Sequence, residues 1–137
     1  MISERSCGAL VYTKIDNELK YLVIKQKYTN HYGFPKGHME KGETKEQTAI
    51  REIYEETNIK VDLNNTIFKE VYYEPKPGIK KEVTFFLAKA LNTNFTIQVE
   101  EVLEIHWLNE KEVLNMLTYE NDKDVFKYLT EGIGLLL

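Results

Sequence analysis

The sequence has 137 residues, of which 42% are hydrophobic and 29% are charged, and its formal net charge at pH 7 is -4. This length and composition predict a single globular domain, residues 1–137, and are not those of a disordered chain. Because an acidic chain has no broad basic surface, we expect no tight binding to duplex DNA. A polyphosphate is still an acceptable ligand, since metal ions supply positive charge locally.

Cys7 is the only cysteine, which excludes an intramolecular disulfide bond and a cysteine-based zinc site. It lies in the apolar run 7–12, so we expect a buried thiol. Residues 1–5 do not open a signal peptide, and no apolar run reaches the length that spans a membrane. We therefore expect a cytoplasmic protein with no membrane partner, either a monomer or a homodimer.

The first part of the chain predicts a β-hairpin. Residues 5–14 and 19–25 form strand-like runs, separated by the turn-prone pair Asp16-Asn17. Both runs are apolar enough that we expect both faces of the hairpin to be covered. The polar stretch 27–32 then predicts a loop.

A helix is predicted next. Thr44 is a natural N-cap, and Gln47, three residues later, completes a capping box. The helix should end near residue 57, because Asn58 tolerates the left-handed conformation that closes many helices. The face expected to pack on a sheet presents Ile50, Ile53 and Thr57.

The rest of the chain predicts three strands and two helices. The strands are expected at 66–74, 82–90 and 102–108, and the helices at about 109–117 and 121–131. The apolar tail 132–137 is expected to pack on the body of the protein. This order predicts an α/β domain with a mixed sheet between helices.

The predicted helix carries three carboxylates on one face. Glu52, Glu55 and Glu56 are spaced i, i+3 and i+4, within an arc of roughly 100°. Neighbouring like charges repel by a few tenths of a kcal/mol per pair. Hard divalent cations such as Mg²⁺ prefer oxygen ligands of this kind. A glutamate-rich helix face is also typical of a plain solvated surface, so the flanking residues decide between the two interpretations.

Residues 37–59 resemble the Nudix box. That motif is glycine, five residues, glutamate, seven residues, Arg-Glu, an aliphatic residue, any residue, Glu-Glu, any residue, glycine and an aliphatic residue. Every position matches except the final glycine, which is Asn58 here. Asparagine is the residue that best replaces glycine at a left-handed helix end, so the departure weighs little.

The resemblance implies a Nudix fold, a mixed β-sheet sandwiched between helices (α/β/α). It also implies metal-dependent hydrolysis of a nucleotide phosphoanhydride by water, with Mg²⁺ or Mn²⁺ as cofactor. The implied metal ligands are three carboxylates and one backbone carbonyl, those of Glu52, Glu55, Glu56 and Gly37. Glu43 and Arg51 are expected to belong to the catalytic machinery as scaffold, because a guanidinium fork can orient carboxylates.

The residues before the box bear on the substrate. Phe34-Pro35-Lys36-Gly37-His38 is similar to the asymmetric dinucleoside tetraphosphate hydrolases of the Nudix family. The likeness implies that Lys36 contacts a phosphate. For His31 and His38 it leaves two roles open, a hydrogen bond to phosphate oxygens or bracing of the loop.

Residues 81–88 resemble the strand that carries a phosphate-binding lysine and an adenine-stacking aromatic residue in these hydrolases. Lys81 matches the lysine, with Lys80 as the alternative. Phe85 matches the aromatic residue, and its alternative role is packing in the sheet core. Phe85 and Phe86 should point to opposite faces of the strand.

One more catalytic carboxylate is expected outside the box. In these hydrolases it lies six residues before a tryptophan, which selects Glu101 from the position of Trp107. Glu101 would position or deprotonate the attacking water, and Glu100 is the alternative.

The predicted activity is hydrolysis of diadenosine tetraphosphate to ATP and AMP. The alternatives are another Nudix pyrophosphatase, acting on oxidised dGTP, other dNTPs or RNA 5′ ends, and a nucleotide-sensing Nudix domain without turnover. The retained cluster of three box glutamates argues against the sensor, because such a cluster repels itself unless a cation is bound.

Overall fold

The computed structural model describes residues 1–136, within which seven strands form one sheet. The strands are β1 (Glu4–Ile15), β2 (Glu18–Gln26), β3 (Tyr32–Gly33), β4 (Lys36–His38), β5 (Val61–Lys76), β6 (Ile79–Ala90) and β7 (Val102–Leu108). The helices are α1 (Lys45–Thr57), α2 (Glu110–Met116) and α3 (Glu120–Leu136).

The sheet is mixed, as predicted. Its strand order is β3-β2-β1-β6-β5, while β4 pairs with β1 and β7 pairs with β2. The central pair β1 and β6 is parallel, and the other pairs are antiparallel. The predicted hairpin of β1 and β2 is present, with Asp16 and Asn17 both at positive φ in its turn.

Helices cover both faces of the sheet, which confirms the predicted α/β/α sandwich. Successive residues of β1 divide between two cores: Ala9 and Val11 lie in one cluster with Ile53 of α1. Leu10 lies in the other cluster, with Phe126 of α3. All five are fully buried, and burial of a large apolar side chain contributes about 1.5–3 kcal/mol.

The predicted caps of α1 are confirmed. The Thr44 hydroxyl accepts a hydrogen bond from the Gln47 amide at 3.1 Å, and the Gln47 side chain accepts one from the Thr44 amide at 2.9 Å. At the other end, Asn58 adopts the left-handed conformation with φ 64°. Its amide donates to the Tyr54 carbonyl at 2.8 Å, which closes the helix.

One of the three residues predicted to pack on the sheet from α1 does not do so. Ile53 and Thr57 are fully buried, but Ile50 is 42% exposed. The buried face is centred on Ala49, Ile53 and Glu56, which follow one another at helical spacing. Ile50 lies about 100° away from Ala49 around the helix and therefore points outward.

Several boundaries also differ from the prediction. Tyr32 was expected in the loop 27–32, and no element was predicted for residues 33–38, but 32–33 form β3, paired with β2, and 36–38 form β4, paired with β1. The strand β5 begins at Val61 rather than residue 66. The tail is the last turn of α3 rather than a separate segment, with Ile133 buried and Leu135 exposed, and residue 137 lies outside the described residues.

Cys7 is fully buried, as predicted. Burial raises the pKa of its thiol to about 11, so the thiol stays protonated at neutral pH. Among the helices of residues 1–136, none is long and apolar enough to span a membrane.

A close contact between β1 and β4 sets the position of the strand that leads into α1. Gly8 pairs with Lys36, and Cys7 pairs with Gly37. A Cβ atom on Gly8 would overlap the carbonyl oxygen of Pro35 and the Cα and Cβ of Lys36. The absence of a side chain at Gly8 therefore allows β4 to lie directly against β1.

Candidate active site

The carboxylates of α1 face the backbone of β4. A Cβ atom on Gly37 would overlap the carboxylate of Glu52, so this approach requires glycine. The carboxylate of Glu56 accepts a hydrogen bond from the Lys36 amide at 3.0 Å. These two contacts fix β4 against the acidic face of α1.

Glu52 and Glu56 are carboxylates whose ionisation the protein disfavours. Glu56 is 5% exposed, and burial, together with the nearby charge of Glu52, raises its pKa to about 9. Burial also raises the pKa of Glu52, against the opposing effect of Arg51. The charge of Glu101 raises the pKa of both, which places Glu101 close to the pair.

This donor set suits a hard divalent cation. It consists of carboxylate oxygens beside the backbone of Gly37, and such oxygens are the ligands that Mg²⁺ and Mn²⁺ prefer. Burial is the main reason that the pKa values of Glu52 and Glu56 are raised, and nearby carboxylates add to it, so a bound cation would offset both effects. The predicted metal ligands therefore fit the cofactor.

Arg51 organises the carboxylates around it. Its Nε donates to one oxygen of Glu43 at 2.6 Å, and its Nη2 donates to the other at 2.9 Å, a bidentate pair. Its Nη1 donates to Glu52 at 2.8 Å and to Glu55 at 3.2 Å. The pairing with Arg51 lowers the pKa of Glu43 to about 2. Glu43 and Arg51 are thus placed as a scaffold.

With Arg51 bound to these carboxylates, residues 1–136 contain no group of three or more Asp, Glu, His or Cys side chains that is placed to hold a metal ion. Because Nη1 of Arg51 bonds to both Glu52 and Glu55, a cation must displace it from at least one of them. The bidentate pair with Glu43 can stay in place during that exchange.

Arg51→Lys should weaken metal binding roughly 10-fold, the usual lower range for losing a group that orients metal ligands. Lysine keeps the positive charge but cannot hold Glu43 with a fork while contacting Glu52 and Glu55. Titration with Mn²⁺, followed by electron paramagnetic resonance, measures the effect. Arg5→Lys is the matched control, because Arg5 is exposed and pairs only loosely with Glu82, at 3.7 Å. Equal Mn²⁺ affinity in the two variants would contradict the scaffold role.

Without metal, stability should fall as the pH rises from about 5 to 9. The ordinary pKa of Glu56, 4.5, is raised to about 9 in the folded protein. Below pH 4.5 both states hold the proton and the stabilisation is complete. Above it, the unfolded state ionises first, so stability is lost until the folded pKa is passed. Urea unfolding in EDTA should show a loss of roughly 1–2 kcal/mol between pH 6 and 8.5. Glu56→Gln should flatten this dependence of the free energy of unfolding on pH. An equal dependence in the variant and the wild type would show that Glu56 is not the group responsible.

A cavity of about 620 Å³ opens beside the carboxylates. Lys36 belongs to both regions, since its amide binds Glu56 and its side chain lines the cavity. Lys81 lines the same cavity. Burial lowers the pKa of Lys36, and the charge of Lys81 lowers it further, so an anion between the two ammonium groups would relieve their repulsion.

The structure brings four of the five predicted substrate residues to this cavity: His31, Lys36, Lys81 and Phe85. His31 lies at the rim, where its Nδ1 is 2.6 Å from the hydroxyl of Tyr119. Phe85 is only 2% exposed and packs edge-on against Phe34, with ring centroids 5.9 Å apart, so it forms the floor. Phe86 lies in the core on the opposite face.

His38 lies outside the cavity lining. Its side chain is 68% exposed and its Nε2 is 4.0 Å from a carboxylate oxygen of Glu4. Its backbone carbonyl accepts a hydrogen bond from Arg51 at 3.0 Å, which corresponds to the bracing role. Lys80, the alternative to Lys81, also lies outside the lining. The main influences on the pKa of Glu52 and Glu56 include the charge of Glu101 rather than that of Glu100, its alternative.

Several cavity residues escaped the sequence analysis. Tyr32, Tyr73 and Asp122 come from β3, β5 and the first turn of α3, and each was assigned to an ordinary loop, strand or helix. Tyr119, just before α3, also lines the cavity. No local motif joins these positions, because strand pairing and helix packing bring them together.

Comparison with known proteins gave one family match and several relatives. The family model for the NUDIX domain matches residues 5–129. MutT4 of Mycobacterium tuberculosis is 30% identical over 98% of this chain, which spans 58% of that protein's length. The asymmetrical bis(5′-nucleosyl)-tetraphosphatase of Caenorhabditis elegans is 29% identical over 84% of this chain and 86% of that protein.

Solved structures show the same fold. The binary complex of a C. elegans Ap4A hydrolase aligns with a TM-score of 0.87 and 25% sequence identity, covering 96% of this chain and 98% of that chain. The alignment therefore includes the sheet, the three helices and the acidic face of α1.

Proposed function

The chain belongs to the NUDIX domain family and is a hydrolase of nucleotide phosphoanhydrides, and within that activity we propose that it cleaves dinucleoside tetraphosphates asymmetrically. Diadenosine tetraphosphate would give ATP and AMP. One observation carries the proposal: two lysines line an aromatic cavity that continues, through Lys36, into the acidic face of α1. A nucleoside with a long phosphate chain matches this order: the base meets the aromatic cavity, and the phosphates meet the lysines and the acidic face of α1. The likeness to the tetraphosphatase and Ap4A hydrolase of C. elegans supports it.

In the proposed mechanism, the acidic face of α1 holds the cation. The ligands would be Glu52, Glu55, Glu56 and the carbonyl of Gly37. A bound Mg²⁺ or Mn²⁺ supplies charge neutralisation on the phosphate oxygens and lowers the pKa of a water. Arg51, held by Glu43, orients Glu52 and Glu55 for this task.

The remaining proposed roles belong to the protein's own side chains. Glu101 lies near the buried pair Glu52 and Glu56 and would take the proton of the attacking water. Lys36 and Lys81 would hold phosphate oxygens by charge and hydrogen bonds. His31 would contact the nucleotide at the cavity rim, and Phe85 would support the base from below.

A second candidate is pyrophosphohydrolysis of a single nucleoside triphosphate, such as oxidised dGTP. The likeness to an 8-oxo-(d)GTP phosphatase of Mycolicibacterium smegmatis, 30% identical over 77% of this chain and 32% of that protein, favours it. The cavity volume, about 620 Å³, also accommodates one nucleoside with its phosphates.

One assay separates these activities. The purified protein, with Mg²⁺, is offered diadenosine tetraphosphate, dNTPs including oxidised dGTP, ADP-ribose and triphosphorylated RNA, and the products are resolved by chromatography. We expect ATP and AMP in equal amounts from diadenosine tetraphosphate. Survival of that compound while another is cleaved would reject the tetraphosphatase assignment. Binding of a nucleotide without cleavage of any compound would favour the sensing domain.

A further inference from the structure

Asp122 presents a carboxylate inside the same cavity. It lies in the first turn of α3, and its side chain lines the cavity together with Lys36. The space beside it is left by Gly33 of β3, where a Cβ atom would lie 3.4 Å from an oxygen of Asp122. A side chain at position 33 would therefore share this space with the carboxylate.

The Asp122 carboxylate lacks the partners that a buried charge needs. Burial raises its pKa, and only the charge of Lys36 opposes that effect, with no contribution from a hydrogen bond. Among the described residues, no cation lies within ion-pair distance of it. Asp122 is half-buried, so its carboxylate loses part of its hydration without gaining a donor from the protein, and a ligand that supplies donors would bind favourably here.

Its place in the first turn of a helix does not account for this burial. A carboxylate there interacts favourably with the helix dipole, but it does so equally well from the surface. Glu120, in the same turn, has that arrangement: its side chain is 83% exposed and pairs with Lys123 at 3.1 Å. Both residues line the cavity, but Asp122 is the more buried of the two and has no such partner.

The cavity walls around Asp122 suit a flat heterocycle. The rings of Tyr32, Tyr73 and Tyr119 line it, and aromatic side chains stack favourably on nucleobases. The Tyr32 ring is held in place because its hydroxyl donates to Glu104 at 2.9 Å. Its amide also donates to Thr118, at 2.9 Å. The wall is therefore largely preformed.

We propose that Asp122 selects the base, and that the cavity prefers guanine to adenine. An ionised carboxylate has two acceptor oxygens, which match the adjacent N1–H and 2-amino donors of guanine. Adenine offers one amino donor next to the acceptor N1, and that acceptor would face a carboxylate oxygen. This inference rests on the proposed function, since it requires a nucleotide in this cavity. A tetraphosphate with guanine at this end should then be a better substrate than diadenosine tetraphosphate.

Binding of mononucleotides tests the selection without turnover. GMP and AMP contain no phosphoanhydride, so their dissociation constants can be measured by calorimetry with the Mg²⁺-loaded protein. We expect GMP to bind roughly 10-fold tighter than AMP, in the range of one bidentate contact. Asp122→Asn should abolish or reverse this ratio, because an amide offers one acceptor and one donor, the complement of adenine. Asp124→Asn, which removes a charge from the exposed surface of the same helix, outside the cavity lining, should leave the ratio unchanged.

Two results would overturn the inference. One is that the wild-type protein binds GMP and AMP equally, or binds AMP more tightly. This result rejects the guanine preference even if the Asp122 variant does not fold. The other is that folded Asp122→Asn keeps the wild-type ratio of GMP to AMP affinity.

If no polyphosphate is cleaved but the GMP preference depends on Asp122, the proposed function fails and the base selection stands. If diadenosine and diguanosine tetraphosphates are cleaved and bound equally, the base selection fails and the proposed function stands.

Discussion

Glu56→Gln should lower kcat for phosphoanhydride hydrolysis by about 10³-fold without unfolding the protein. The glutamine oxygen can still accept the hydrogen bond from the Lys36 amide, so β4 should keep its place against α1. The variant cannot ionise when a cation binds, so the site loses a charged ligand for the divalent cation. Steady-state kinetics at saturating Mg²⁺, with a thermal unfolding curve for each variant, measures both effects.

Glu46→Gln is the matched control for that experiment. Glu46 lies in the first turn of the same helix, outside the Arg51 network, so kcat should stay within about twofold of wild type. Glu55→Gln should resemble Glu56→Gln. If both Glu55→Gln and Glu56→Gln retain activity close to wild type, neither residue binds an essential metal.

Gly8→Ala should destabilise the fold by about 3 kcal/mol or more, at the upper end of what overpacking costs. The added methyl group would overlap backbone atoms of Pro35 and Lys36, and a backbone cannot rotate away as a side chain does. The strands β1 and β4 would have to separate, which also moves Lys36 and Gly37 relative to α1. Urea unfolding gives the free energy, and kcat should fall even in the folded fraction.

Gly134→Ala provides the control for a methyl group added elsewhere. Gly134 lies within α3, and a Cβ there would meet nothing within 4 Å. Alanine in a helix is favoured over glycine by about 0.5–1 kcal/mol, so this variant should be slightly more stable. An unfolding midpoint for Gly8→Ala equal to that of wild type would show that β1 and β4 are not in close contact.

Local signals predicted much of the fold. The caps of α1 were predictable because Thr44, Gln47 and Asn58 act within one or two helical turns. The short strands β3 and β4 were not, since only their pairing with β2 and β1 makes them strands. Ile50 was misassigned because an apolar residue on a helix does not by itself fix which direction faces the sheet.

The candidate site likewise has one part that the sequence predicted and one part that it did not. Its acidic half follows from spacing in one helix, and the sequence indicated Glu52, Glu55 and Glu56 directly. The cavity draws on β3, β5, β6 and α3, so its walls depend on tertiary packing. Asp122 could not be anticipated, because an aspartate in the first turn of a helix is common for reasons unrelated to ligands.

The parallel pairing of β1 with β6 has a consequence for how the chain folds. Glu4 pairs with Lys81, so this contact closes a loop that contains more than half of the sequence. Contacts of such long range are characteristic of slow folding. During synthesis, α1 and its partners β1 and β4 emerge well before β6 and α3. The nascent chain would therefore carry its acidic helix while one edge of β1 is still open. Until residues 79–90 arrive to cover that edge, the chain depends on fast completion, or on a chaperone, to avoid pairing with another molecule.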